Sequence, residues 1–279
     1  MSHQNRGLFI TDFDGTLLRS DGTLAQRDLD ALISLSRRGI TTAVATGRSL
    51  DSFNTSPGVE LPVDYNIFTT GAGVENRPEG KLVYRVNLTR DMAMQALDIF
   101  KEYRLDFFLH GPVPDNYKFL YCRTTPNNPD FETRLHRYRP FGKPFDAASG
   151  NGFKEVSQLL AVIPENAVND VVEKVREALP ELSVIKTTSP LDHQSTWIEL
   201  FHPNVSKSKT TAWLAAELAV DVLNTAAIGN DYNDQDLLEW ASHSFVVENA
   251  PEDLKNRFQP VASNNDGGVA EAIENWLVR

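Results

Sequence analysis

The chain has 279 residues, of which 41% are hydrophobic and 23% charged, which suits one large folded domain with a smaller companion and excludes a disordered or fibrous chain. Its 27 Lys and Arg against 38 Asp and Glu give a formal charge of -11 with no concentrated basic run, so nucleic acid is not an expected partner. No apolar stretch approaches the roughly 20 residues of a membrane span, the polar N-terminus runs straight into a strand-like segment, and the single cysteine, Cys122, cannot form an internal disulfide. We therefore expect a cytoplasmic protein with no membrane partner and a buried structural thiol at Cys122.

The first apolar run, Leu8 to Thr11, stops at a polar cluster as a buried parallel strand does, with Asp12 at its carboxyl end. Leu29, Leu32, Ile33 and Leu35 recur at helical spacing between Ala25 and Arg38, and Thr41 to Ala45 reads as the next strand, completing a βαβ unit. A third strand around Asp64 to Phe68 ends in the glycine-marked turn of Thr69 to Gly73. From about Arg77 to Pro190 the character changes. Strand-like segments at Lys81 to Val86, Lys118 to Cys122, Phe153 to Ile163 and Leu182 to Thr187 accompany helices at Asp91 to Tyr103 and Glu165 to Ala178, which predicts an α+β insert. After a strand at Trp197 to Phe201 the sheet-and-helix rhythm resumes. It places a helix at Lys207 to Leu218, a strand at Ala226 to Ile228, and helices at Asp234 to Ala241 and Val269 to Leu277.

These readings predict an α/β fold: a Rossmann-like, doubly wound parallel sheet formed by residues 1–76 and 191–279, with an α+β cap inserted at 77–190. Ligands of open α/β sheets bind outside the carboxyl ends of the strands, which is where the chemistry is expected.

The pentapeptide Asp12-Phe13-Asp14-Gly15-Thr16 is the most informative segment. Of two carboxylates one residue apart at a strand end, one can attack phosphorus while its neighbour donates a proton to the departing oxygen and later takes one from water. Gly15 lets the chain turn sharply enough for both. Downstream, Gly229-Asn230-Asp231-Tyr232-Asn233-Asp234 gathers oxygen-bearing side chains of the kind magnesium prefers.

From Leu8 to Val278 the sequence resembles the haloacid dehalogenase superfamily, with the insert placed like the C2-type cap of its subfamily IIB, the Cof-type and sucrose-phosphatase-like sugar phosphatases. The resemblance implies that Asp12 is the phosphoryl acceptor and Asp14 the general acid/base, with its backbone carbonyl on Mg2+. It also implies that Thr46, in Ala45-Thr46-Gly47-Arg48, holds a phosphoryl oxygen, and that Lys207 rather than Lys209 stabilises the transferring group. Its phosphate-holding set extends to Gly47, Arg48, Thr70, Gly71, Asn233 and Asn249, and its metal set to Asp12, Asp14, Asn230, Asp231 and Asp234. Two departures stand out: Asn230 occupies the place of the family's first motif-four aspartate, so that either Asn230 ligates or Asp231 takes its place, and Thr70 stands where an asparagine is usual. Glu248-Asn249-Ala250 and the turn from Asn264 to Gly268 resemble further family segments. The implied partner is a small phosphorylated metabolite, with a sugar phosphate expected. A phosphomutase and a catalytically weakened binding module are the alternatives, a phosphonatase or dehalogenase being disfavoured by the cap and the metal cluster. His110, Tyr117, Arg123, Arg134, His136, Arg137, Arg139 and Lys154 are candidate substrate contacts from the insert, against the plainer reading of a helix with a solvated basic face.

Overall fold

The computed structural model describes residues 7–56, 60–146, 152–165 and 170–278. The chain divides into two compact units, one built from residues up to Tyr84 and from Ser206 onward, the other from Arg85–Val205.

The first unit is organised on an eight-stranded sheet in the order Gln259–Val261, His243–Val247, Thr225–Gly229, Leu8–Thr11, Thr41–Ala45, Tyr65–Phe68, Gly73–Asn76, Lys81–Arg85. The first six are mutually parallel, and Gly73–Asn76 turns back antiparallel on Tyr65–Phe68. Leu8, Phe9 and Ile10 are wholly buried because helices cover both faces of the sheet. Phe9 packs with the helices Gln26–Arg37 and Gly268–Leu277 through Leu32, Leu35 and Ile273, while Leu8 and Ile10 pack with Lys207–Glu217 and Gln235–Trp240 through Leu214, Leu237 and Leu238. Each fully buried Leu or Phe of this kind contributes about 1.5–3 kcal/mol. This is the expected doubly wound core.

The second unit is inserted between the two halves of the first. Its six-stranded sheet runs Ser183–Thr188, Thr196–Phe201, Gln158–Ile163, Asp106–His110, Phe119–Cys122, Gly142–Pro144, and is mostly antiparallel. Helices Arg90–Glu102 and Val171–Ala178 bury Leu97, Phe100, Val172 and Val175 on one face, and Pro129–Tyr138 buries Phe131 and Leu135 on the other. Part of the helix expected from Glu165 falls on residues 166–169, outside the described residues.

The unit boundaries lie later than the 76/77 and 190/191 joins expected from sequence. Lys81–Arg85 pairs as an edge strand of the first unit's sheet, and Thr196–Phe201, assigned from sequence to the parallel core, pairs antiparallel inside the second. Both segments read as strands, but the sheet a strand joins is decided by its partners, which its own residues do not specify. Cys122, expected to be buried, is only part-buried, and that burial pushes its thiol above the ordinary value. No described helix is long and apolar enough to cross a membrane.

Candidate active site

Three adjacent parallel strands set the site. Leu8–Thr11 lies between Thr41–Ala45 and Thr225–Gly229, with Thr11 level with Val44 and Ile228, so the residues following each strand emerge side by side. Asp12, Thr46 and Asn230 are those residues. The ladder continues one step into the site: the Asp12 amide donates to Ile228 O at 2.9 Å and the Thr46 amide to Ile67 O at 2.8 Å. Asp12 and Phe13 are buried and Asp14 is exposed, because the strand ends at Thr11 and the chain turns at Phe13. Gly15 then turns the chain at φ +76°, where a Cβ would fall 2.6 Å from the Asn230 side chain.

Lys207 opens the helix Lys207–Glu217, capped by Ser206, whose hydroxyl accepts from the Lys209 amide at 3.2 Å. Lys207, Thr210, Thr211 and Leu214 form the buried face at i, i+3, i+4, i+7 spacing, which turns Lys207 inward and leaves Lys209 exposed. The wholly buried ammonium donates to Asp12 Oδ1 at 2.7 Å and to Asp234 Oδ1 at 2.5 Å. Burial works against this charge, but the two carboxylates outweigh it and hold Lys207 protonated well above its ordinary range. For Asp12, burial followed by the charge of Asp234 pushes the carboxyl up to about 7 against the pull of Lys207.

In the acidic turn, Asp234 is wholly buried, with its second oxygen accepting from the amides of Asn230 at 2.8 Å and Asp231 at 3.2 Å. Gly229 makes room for it, since a Cβ there would lie 2.5 Å from Asp234 Cβ. Asp231 caps the short turn, accepting from the Tyr232 amide at 2.8 Å, and Asn233 is part-buried in that turn. The structure thus turns Asp231 to the Tyr232 amide and Asp234 to backbone amides and Lys207, and brings Asn230 against the Asp12 loop. The Asn230 amide admits two orientations. With nitrogen inward it donates to Asp12 Oδ2 and to the Asp14 carbonyl, each at 3.2 Å; with oxygen inward, three oxygens face one another across the same spacing. The Asp12 carboxylate, the Asp14 main-chain carbonyl and the Asn230 amide meet at this point, and among the described residues no group of three or more His, Cys, Asp or Glu side chains could hold a metal ion.

Thr46 is wholly buried, and its hydroxyl accepts from the Arg48 amide at 3.1 Å. Thr70, at φ +56° and buried, donates its amide to Thr46 O at 2.9 Å, and a Cβ on Gly47 would lie 3.7 Å from Thr70 Oγ1. Gly71, at φ +107°, lies against the start of the lysine helix, receiving a hydrogen bond on its carbonyl from Thr210 Oγ1 at 2.8 Å. Asn249 braces the Asp12 loop, donating to Gly15 O at 2.9 Å and accepting from the Asn264 amide, while Asn264 donates to Leu18 O.

Two relationships were missed in the sequence reading. Thr16, four residues after Asp12, donates its hydroxyl to Asp12 Oδ2 at 2.9 Å; the quoted pentapeptide contained it without assigning it a role. Arg48, read only as a substrate contact, grips Asp14 with two hydrogen bonds. In the inserted unit, Arg134 leaves the expected basic face. Its guanidinium lies over Trp197 at 4.7 Å and over Phe108 and Tyr138 at 5.3 Å each, while His136, Arg137 and Arg139 are exposed.

The family model described as haloacid dehalogenase-like hydrolase matches residues 9–273. A putative phosphatase of Streptococcus pyogenes serotype M6, M6_Spy0533, is 24% identical over 275 residues, covering 97% of this chain and 98% of its own length. Among solved structures, BT1666 from Bacteroides thetaiotaomicron, described with the phosphatases of the haloalkanoate enzyme superfamily, shares the fold with a TM-score of 0.80 and 23% identity, covering 100% of this chain and 97% of its own. The subclass IIB sugar phosphatase BT4131 shares it with a TM-score of 0.76 and 17% identity, at 98% and 100% coverage.

Proposed function

The chain belongs to the haloacid dehalogenase-like hydrolase family, and from that premise we propose that it is a magnesium-dependent phosphatase acting on a small phosphorylated metabolite, a sugar phosphate by preference, through an aspartyl-phosphate. The observation that carries the reading is the buried contact between Asp12 and Lys207, which puts a nucleophilic carboxylate and a permanent cation together at a strand end.

In the first half-reaction the Asp12 carboxylate attacks phosphorus, the bond to the leaving oxygen breaks, and Asp14 gives that oxygen its proton, releasing an alcohol. In the second, Asp14 takes a proton from water as the hydroxide attacks the aspartyl phosphate. The bond to Asp12 breaks, and inorganic phosphate leaves. Lys207 neutralises charge on the phosphoryl oxygens, Thr46 offers its hydroxyl to one of them, and Thr16 and Lys207 hold the attacking carboxylate in place. The Asp14 backbone carbonyl, Asp12 Oδ2 and Asn230 Oδ1 form a hard-oxygen set suited to magnesium, which when bound supplies orientation and charge neutralisation to the phosphoryl group. On this reading Asp231 and Asp234 serve as cap and as counter-charge to Lys207, Gly47, Arg48, Thr70 and Gly71 shape the neighbouring loops, and the inserted unit selects the substrate.

The test is phosphate release from p-nitrophenyl phosphate and a sugar-phosphate panel, with and without magnesium, beside Asp12→Asn. Magnesium-dependent release that vanishes in the variant is expected. Full activity in Asp12→Asn would overturn the assignment, and dependence on a bisphosphate activator would turn it toward a mutase.

A further inference from the structure

Asp14 is gripped by one neighbour. Arg48 Nε donates to Asp14 Oδ2 at 2.8 Å and Nη2 to Asp14 Oδ1 at 2.6 Å, a bidentate pair that fixes the plane of the carboxyl group as well as its distance. The arginine is itself held at several points. Its guanidinium lies 5.2 Å from the Phe13 ring centroid, and its Nη1 donates to Ser56 Oγ, whose hydroxyl donates to Ser52 O at 2.8 Å in the helix Leu50–Asn54. Its amide donates to Thr46 Oγ1 at 3.1 Å and its carbonyl accepts from the Thr69 amide at 2.8 Å. An exposed ion pair of two loose side chains would carry little energy. Here the guanidinium is also held by Phe13 and Ser56, so the pair constrains direction at small further entropic cost.

Resting on the phosphatase reading, we infer that Arg48 is a positioning residue, which aims the Asp14 carboxyl at the leaving oxygen and couples it through Phe13, Ser56 and Thr46 to the loop that holds phosphate. Asp14 is exposed, at 46% of its side chain, and would otherwise sample several rotamers. Proton delivery demands one of them. Arg48 itself transfers no proton, because a guanidinium stays protonated throughout.

The experiment compares Arg48→Gln and Arg48→Lys with the unaltered protein on two esters: p-nitrophenyl phosphate, whose leaving group departs without a proton, and the alkyl phosphate cleaved fastest in a sugar-phosphate panel. General acid catalysis is typically worth about 10²–10⁴-fold. Positioning through Arg48 therefore predicts that kcat/KM, which reports formation of the aspartyl phosphate and not its hydrolysis, falls at least about tenfold further on the alkyl ester than on the aryl ester, and that Arg48→Lys, which keeps charge but loses the fork, falls in between. Equal losses of kcat/KM on both esters would overturn the inference by showing a structural or phosphate-contact role. Thermal unfolding of both variants identifies a folding defect, and if Arg48→Gln does not fold, the alkyl-to-aryl ratio of Arg48→Lys decides. Absence of phosphate release by the unaltered protein from every ester would instead overturn the phosphatase reading itself.

Discussion

Lys207 sits between Asp12 and Asp234 with its ammonium 2.7 Å from one carboxylate and 2.5 Å from the other, and all three side chains are buried. One positive charge thus serves two negative ones. Removing it leaves both carboxylates uncompensated, and breaking a buried pair in this way costs about 3–5 kcal/mol. Lys207→Met is expected to lose that much in urea unfolding. Asp234→Asn added to Lys207→Met should recover part of it, because the double variant buries one unpaired charge instead of two. Additive losses in the double variant would mean that the triad does not act as a unit.

Gly71 occupies a backbone conformation reserved for glycine, at φ +107°, and a Cβ there would meet Ser206 O and Thr210 Oγ1 at 2.6 Å. Both partners belong to the start of the helix that carries Lys207. Gly71→Ala is therefore expected to destabilise by about 1–3 kcal/mol from strain and to lower phosphate release through a displaced lysine. A variant with unaltered unfolding midpoint and turnover would show that the contact yields freely.

At Asn230 the expected effect concerns charge. Asn230→Asp adds a third carboxylate beside Asp12 and Asp14, next to an Asp12 that burial already holds at about 7. In metal-free buffer its thermal midpoint should fall below that of the unaltered protein, and added magnesium should raise it by more. The half-saturating magnesium concentration should also drop. Equal magnesium shifts in the two proteins would remove Asn230 from the metal set.

His110 lies buried in the inserted unit, its Nδ1 2.8 Å from Asn116 O and its Nε2 facing Arg134 at 3.3 Å. Burial, and then the charge of Arg134, lowers its pKa from 6.5 to about 3. In the unfolded chain the ring takes up a proton below about 6.5, whereas in the folded protein it stays neutral until about 3. The unfolded state therefore binds more protons across that window, and stability falls as pH drops through it, by up to about 1.4 kcal/mol per pH unit. His110→Asn should flatten this dependence between pH 7 and 5 in urea titrations. An unchanged slope would assign it to other groups.

Strand and helix periodicity, and the spacing of short polar motifs after strands, were legible along the chain because each depends on neighbours in sequence. Leu8 to Thr11 announces a buried strand, and the helical spacing of Leu29, Leu32, Ile33 and Leu35 announces the helix that follows it. The membership of Lys81–Arg85 and Thr196–Phe201 in their sheets was not legible, since pairing is a property of two strands distant in the chain. The same holds for the site's finer assignments. Asp231 and Asp234 read from sequence as one acidic cluster with Asn230, and only the fold turns one to a cap, one to a lysine 27 residues away, and Asn230 toward Asp12. The pairing of Arg48 with Asp14 across 34 residues belongs to the same class. Sequence by itself determined which chemical groups stand at the strand ends; tertiary structure decided which of them touch, because hydrogen bonds and charges act over a few ångströms and the chain brings distant segments within that range only when it folds.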